Sequence, residues 1–200
     1  MTKRALPAPE TSEVNSMATP YKAPLRDMQF VMHELLEVEK HYAAIPAYAE
    51  TNRELVDSVL EAGAQFAEGE LSPINRSGDE EGCTWNDGVV TTPKGFKEAY
   101  AKFVELGFGA LASPVEHGGQ GLPPSLGIAM SEMTGTANWS WSMYPGLSHG
   151  AINTVEAHGT PEQKEVYLTK LISGEWTGTM CLTEPHAGSD LGIIRTKAEP

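Results

Sequence analysis

Residues Gly159–Leu191 read GTPEQKEVYLTKLISGEWTGTMCLTEPHAGSDL, and the fold turns on the change of pattern across them. Thr160 is a helix N-cap, Pro161 a first-turn proline, and Gln163 completes a capping-box spacing. Gly174 closes that helix. Beyond it the helical period is lost: Trp176–Thr183 reads as a strand and Ile193–Ala198 as the start of another. Between them the apolar run Met180, Cys181, Leu182 meets the small and polar residues Thr183–Asp190, the signature of a strand end opening into a tight loop. Such a loop can present backbone N–H groups, hydroxyls and a close-approach glycine to a ligand.

The chain before Gly159 is helical in pattern. Leu25, Met28, Val31, Met32, Leu35 and Leu36 repeat at three- and four-residue steps, predicting a helix over 27–40. A capping box at Thr51 and Glu54 opens a second, with Leu55, Val59, Leu60 and Phe66 as its stripe and an end near Leu71, before Pro73. Residues 72–92 read as a long connection punctuated by Gly78, Gly82 and Gly88. Thr92 and Pro93 offer the start of a third helix carrying Phe96, Tyr100, Phe103 and Val104, capped by Gly107. Further helices are predicted over 125–136 and 147–158. Helices followed by strands, rather than alternation, indicate an α+β chain: an all-α helical domain over 25–174, then the first strands of a β domain over 175–200. Residues 1–24, rich in Pro, Ser, Thr and Ala, read as a flexible leader, within which Met17 is an alternative start.

Composition narrows the function. The formal net charge of −13 over 200 residues argues against nucleic acid and anionic membranes as partners, because both need a basic face. Cys83 and Cys181 lie far apart, form no CxxC, and read as reduced thiols of a cytoplasmic protein. No run of 18 apolar residues spans a membrane, and Lys3 and Arg4 lack the apolar stretch of a secretory signal. His33, His41, His117, His149, His158 and His186 make no HExxH or HxH pattern, so no metal site is expected. Gly118–Gly121 (GGQG) lacks a full GxGxxG and reads as a helix connection rather than a phosphate cradle. Trp139, Trp141, Met143 and Tyr144 form an aromatic cluster, read as core, with the wall of a ligand pocket as the alternative.

Three blocks then resemble the acyl-CoA dehydrogenases. Cys181 to Asp190 matches that family's small–aliphatic–Ser/Thr–Glu–x–x–small–Gly–Ser/Thr–Asp segment at every specified position. Gly159–Gly174 is similar to its G-T/S-x-E-Q-K-x-x-Y-L-x-x-L-x-x-G helix. Pro114, Glu116, Gly118, Gly119 and Gly121 match its P-x-E-x-G-G-x-G loop, in the same order along the chain. Two positions depart: Met180 stands where the family often has an aromatic residue, and Ile193 where it often has a small one. Within the family, the N-terminal extension, the RDMQFVMHEL helix and the TEPHAGSDLGIIRTKAEP ending look most like the larger bacterial type related to 3-methylthiopropanoyl-CoA dehydrogenase.

The resemblance implies a flavoprotein oxidoreductase of fatty acid metabolism that carries out α,β-dehydrogenation of an acyl-CoA thioester. A carboxylate removes the α-proton and the β-hydrogen leaves as hydride to FAD. The implied cofactor-binding residues are Met180, Cys181, Leu182, Thr183, Gly188 and Ser189. Backbone groups of Leu182 and Thr183, with the Thr183 hydroxyl, would meet the flavin's pyrimidine edge. Ser189 would contact the pyrophosphate and lie beside the acyl-CoA. Glu184, His186 and Asp190 are assigned to loop structure. No glutamate here matches the family's base, which lies in a later helical domain, so no catalytic residue is named and this segment is expected to be inactive alone. An electron-transferring flavoprotein is the implied acceptor, and a homodimer or homotetramer the implied assembly. The alternatives are a nucleic-acid-binding relative of the family, which the charge disfavours, and an inactive interaction fragment.

Overall fold

The apolar stripe that starts at Leu25 winds into helix, but not as one rod. In the computed structural model, which describes residues 20–199, it divides into α1 (Leu25–Gln29), a π-helical turn (Phe30–Leu35) and α2 (Val38–Ala43). Glu37 is left-handed at the break (φ 47°), so the single helix expected over 27–40 is corrected to two. The wider π turn shifts the phase of the inward face, which passes from Met28, Met32 and His33 to Val38 and Tyr42.

The next helix is capped by Asn52, not Thr51. The Asn52 side chain accepts the Leu55 N–H at 3.0 Å, while Thr51 is buried. It also runs further than predicted: α3 (Arg53–Phe66), a π turn (Ala67–Leu71) and α4 (Ser72–Glu81) follow one another directly. Pro73 does not end the helix, because it falls in the first turn after the π segment. A proline removes one i→i−4 bond and crowds the carbonyl four residues back, and the wider ladder relieves both. The connection expected over 72–92 is therefore half helix. Its remainder is a hairpin, β1 (Thr84–Asn86) and β2 (Val89–Thr91), antiparallel with Trp85 opposite Val90. Asp87 and Gly88 hold φ of 45° and 82°, as the two central residues of a type I′ turn require.

α5 (Phe96–Glu105) begins after a left-handed Gly95 rather than at Thr92–Pro93, and Gly107 ends it as predicted. α6 (Pro124–Ala137) agrees with the helix expected over 125–136. α7 (Trp139–His158) starts well before Leu147, because the fully buried Asn138 caps it by accepting the Trp141 N–H at 3.1 Å. α8 (Pro161–Ile172) shows the capping box of Thr160 and Gln163.

The core gathers Leu60 and Phe66 of α3, Leu71 of the π turn, Leu126 and Met133 of α6 and Trp141 of α7. Phe66 lies 5.8, 5.6 and 5.8 Å from the rings of Phe103, Phe108 and Trp141. Gly63 lets α3 approach α6, since a Cβ there would stand 2.5 Å from the Met133 Cε. Ile152, Leu168 and Ile172 seat α8 on α7. Tyr21–Ala23, at the end of the expected leader, are tied down. The Tyr21 N–H donates to Ser72 Oγ (3.1 Å), and the Ala23 N–H to Glu68 Oε1 (3.0 Å), with Lys22 paired to the same carboxylate. The Lys22 hydrogen bond, then the Ala23 N–H, hold the Glu68 carboxyl below its ordinary value. Residues 1–19, which include Met17, lie outside the described residues.

After Gly174 the chain bends at Glu175–Trp176 and then runs without regular secondary structure, and the strand expected over 176–183 has no ladder partner among the described residues. A strand exists only where a neighbour takes up its N–H and C=O groups. The second expected strand likewise opens with a 3₁₀ turn (Leu191–Ile193) and stays unpaired. The fold is thus mostly helical with one two-stranded sheet, which fits an all-α domain followed by the start of a β domain. No helix among the described residues is long and apolar enough to cross a membrane.

Candidate functional site

The chain leaves α8 through Gly174, at φ 74°, where a Cβ would meet Val104 Cγ2 at 2.5 Å. The Tyr100 hydroxyl donates to the Gly174 carbonyl at 3.5 Å, and the Gly178 N–H donates to Ser148 Oγ on α7 at 3.1 Å. Met180, Cys181 and Leu182 follow as an exposed arm without regular secondary structure, with Met180 67% and Leu182 41% accessible.

A tight turn comes next. Glu184 and Ala187 exchange backbone hydrogen bonds at 2.8 and 3.1 Å, with Pro185 and His186 at the tip. The Glu184 carboxylate reaches forward. It accepts the Arg195 N–H at 3.1 Å on each oxygen, and the Thr196 N–H and hydroxyl at 2.8 and 2.5 Å. Its carboxyl is held below the ordinary value first by the Thr196 hydroxyl, then by the Arg195 and Thr196 N–H groups. His186 Nε2 lies 3.3 Å from Glu184 Oε2 and 3.2 Å from the Ile193 carbonyl. Asp190 accepts the Gly192 N–H at 3.1 Å. Glu184, His186 and Asp190 are thereby engaged in shaping the loop.

Among the described residues, the N–H groups of Leu182 and Thr183 and the hydroxyls of Thr183 and Ser189 have no protein partner. Thr183 and Gly188 meet across the base of the turn: a Cβ built on Gly188 would touch only Thr183 Cγ2, at 3.9 Å. That is ordinary contact, so the fold itself does not demand glycine there, and the space beside its Cα stays open. Free donors at 182–183, an open glycine at 188 and a free hydroxyl at 189 suit the acceptor-rich edge and the phosphates of a flavin dinucleotide. Cys83 and Cys181 are both exposed free thiols.

Two other predicted features resolve differently. The aromatic cluster splits: Trp141 enters the core, while Trp139 and Tyr144 are 69% and 50% exposed. The Gly118–Gly121 loop is structural, since a Cβ on Gly119 would fall 2.1 Å from the Ser113 carbonyl oxygen. Sequence reasoning missed the groups that hold the loop from behind, Ser148 and Tyr100, because nothing in their local pattern sets them apart. It also missed a buried constellation in which His33 Nδ1 lies 2.5 Å from Glu39 and Nε2 3.0 Å from Asp57. Helix packing alone brings Asp57 to His33.

Residues 49–175 match the family described as Acyl-CoA dehydrogenase, N-terminal domain. The chain belongs to the acyl-CoA dehydrogenase family. Over 180 residues it is 40% identical to the 3-methylmercaptopropionyl-CoA dehydrogenase of Ruegeria pomeroyi, covering 90% of this chain and 30% of that relative. The resemblance to that bacterial type is thus met by a relative of the same kind. The chain spans about 30% of the length of the curated relatives it matches. Among solved structures, an acyl-CoA dehydrogenase from Bacillus anthracis complexed with FAD shares the fold, with a TM-score of 0.57 and 24% identity over 71% of this chain and 23% of that one. A structure described as the electron transferring flavoprotein of Acidaminococcus fermentans is alike at a TM-score of 0.57 and 25% identity, over 69% of this chain and 34% of that one.

Proposed function

We propose that this chain supplies the helical N-terminal domain, residues 25–174, and the flavin-facing loop of an FAD-dependent acyl-CoA dehydrogenase. The observation that carries the reading is the loop: every carboxylate in it is consumed internally, while its free donors and open glycine face outward. Bound FAD supplies the hydride acceptor for dehydrogenation of the acyl chain. The N–H groups of Leu182 and Thr183 and the Thr183 hydroxyl donate to the flavin's pyrimidine edge. Gly188 admits the cofactor backbone closely, and Ser189 donates to the pyrophosphate beside the acyl-CoA. Met180 and Cys181 line the flavin's flank. Glu184 is not the base, since three donors, the Arg195 N–H and the Thr196 N–H and hydroxyl, already occupy its carboxylate.

Family membership supports an acyl-CoA substrate. The likeness to the A. fermentans structure supports an electron-transferring flavoprotein as acceptor. A cytoplasmic homodimer or homotetramer completes the reading. The test is the visible spectrum of the protein as its natural host makes it, before and after anaerobic addition of a panel of acyl-CoAs that includes thioether chains. A flavin band bleached by one thioester supports the reading. A flavin band that none bleaches, or no flavin at all, overturns it.

A further inference from the structure

We infer that Ser148 on α7 is the positioning residue that sets where the flavin-facing loop stands, an inference that rests on the flavin reading of Met180–Ser189. Ser148 is buried, at 7% exposure, and its Oγ accepts the Gly178 N–H at 3.1 Å. Gly178 leaves no room for anything but close approach. A Cβ there would stand 2.5 Å from Ala151 Cβ and 3.2 Å from the Leu147 carbonyl oxygen, so its backbone lies directly on one turn of α7. One turn earlier on the same face, the Tyr144 hydroxyl reaches Thr177 Oγ1 at 3.5 Å. Tyr144 also meets the Tyr100 ring edge-on at 4.8 Å, and Tyr100 holds the Gly174 carbonyl. Tyr100 of α5 thus pins the chain at Gly174, and Tyr144 and Ser148 of α7 pin it at Thr177 and Gly178.

Past Gly178 the arm makes no further hydrogen bond to the helices before the turn at Glu184 among the described residues. The Thr179–Cys181 contact is internal to it. Leu182 stands four residues beyond the pin, a reach of at most about 13 Å at about 3.3 Å per residue. A small rotation at Gly178 therefore sweeps the Leu182 and Thr183 donors by a large fraction of a hydrogen-bond length. Hydrogen bonds weaken steeply with distance and angle, so the clamp acts on cofactor geometry without touching the cofactor.

The experiment uses the full natural protein, stripped of flavin and reloaded with FAD. Ser148→Ala is expected to weaken FAD binding about three- to tenfold, the range of one net hydrogen bond. It is also expected to speed amide exchange at Gly178, and at Leu182 and Thr183 in the FAD-loaded protein, with the melting temperature of the helical part unchanged. Gly178→Ala is expected to do the same by pushing off Ala151, and the pair Gly178→Ala with Ala151→Gly to recover part of the affinity. Wild-type FAD affinity and exchange in Ser148→Ala would overturn the inference. So would a loss of affinity that merely follows a fallen melting temperature. If the wild-type protein takes up no FAD, the functional reading fails, and the exchange rate of the Gly178 amide, which donates to Ser148 Oγ, still decides whether Ser148 holds the arm.

Discussion

Glu184 and Thr196 close the candidate site: Glu184 Oε1 accepts the Thr196 backbone N–H at 2.8 Å and its hydroxyl at 2.5 Å. The partners are twelve positions apart in sequence, and the loop between them includes Gly188 and Ser189. The loop's shape thus depends on one ionised side chain receiving donors, the kind of hydrogen bond that is shorter and stronger than a neutral one.

Glu184→Gln replaces one acceptor oxygen by a donor that faces the Arg195 N–H. The loop is expected to open while the helices stay intact. Limited trypsin digestion checks it: cleavage after Arg195 becomes faster in the variant, with the far-ultraviolet circular dichroism unchanged.

The same carboxylate makes loop order depend on pH in one direction. Its folded pKa lies below the ordinary 4.5, so its contribution is complete above that value and is lost as pH falls through the lower folded pKa. The loop is expected to hold through neutral and mildly acidic solution and to release only below the ordinary carboxylate range. The amide NMR shifts of Arg195 and Thr196, followed against pH, report the transition, and Glu184→Gln removes it.

Gly188→Val separates binding from folding. The added Cβ meets only Thr183 Cγ2, at 3.9 Å, so the thermal midpoint should not move. The side chain fills the space kept open beside the free donors, so FAD retention after gel filtration is expected to be lost.

The His33 side chain is fully buried between Glu39 and Asp57, and joins the α1–α2 region to α3. His33→Leu keeps the bulk and removes the ring nitrogens, leaving two carboxylates facing an apolar group. Stability is expected to fall by about 1–3 kcal/mol, read as a lower urea midpoint at constant slope.

Legibility along the chain tracked how locally each feature is satisfied. The Thr160–Gln163 box, the Gly107 and Gly174 stops and the extent of α6 were readable, because their partners lie within a few residues. The start of α7 was not, since its cap Asn138 is fixed by burial and by its amide donating to the Leu71 carbonyl, 67 residues away. Nor was the passage of α3 into α4 through Pro73, which depends on a π turn held against the core by Ala67 and Leu71. In the site, the residue types at 181–190 were legible as a block. That Glu184 turns inward to Thr196 while Thr183 and Ser189 stay free was not.

The sequence by itself determined the helix-then-extended order, the capping of α8 and the family, because these rest on residues acting within one or two turns or on a contiguous motif. Only the tertiary structure decided whether Trp176–Thr183 is a strand, which side chains are buried in the 139–144 cluster, and what anchors the loop to α7. Strand pairing, burial and a clamp such as Ser148 on Gly178 are made by groups far apart in the chain, and their free energy exists only once packing has brought them together.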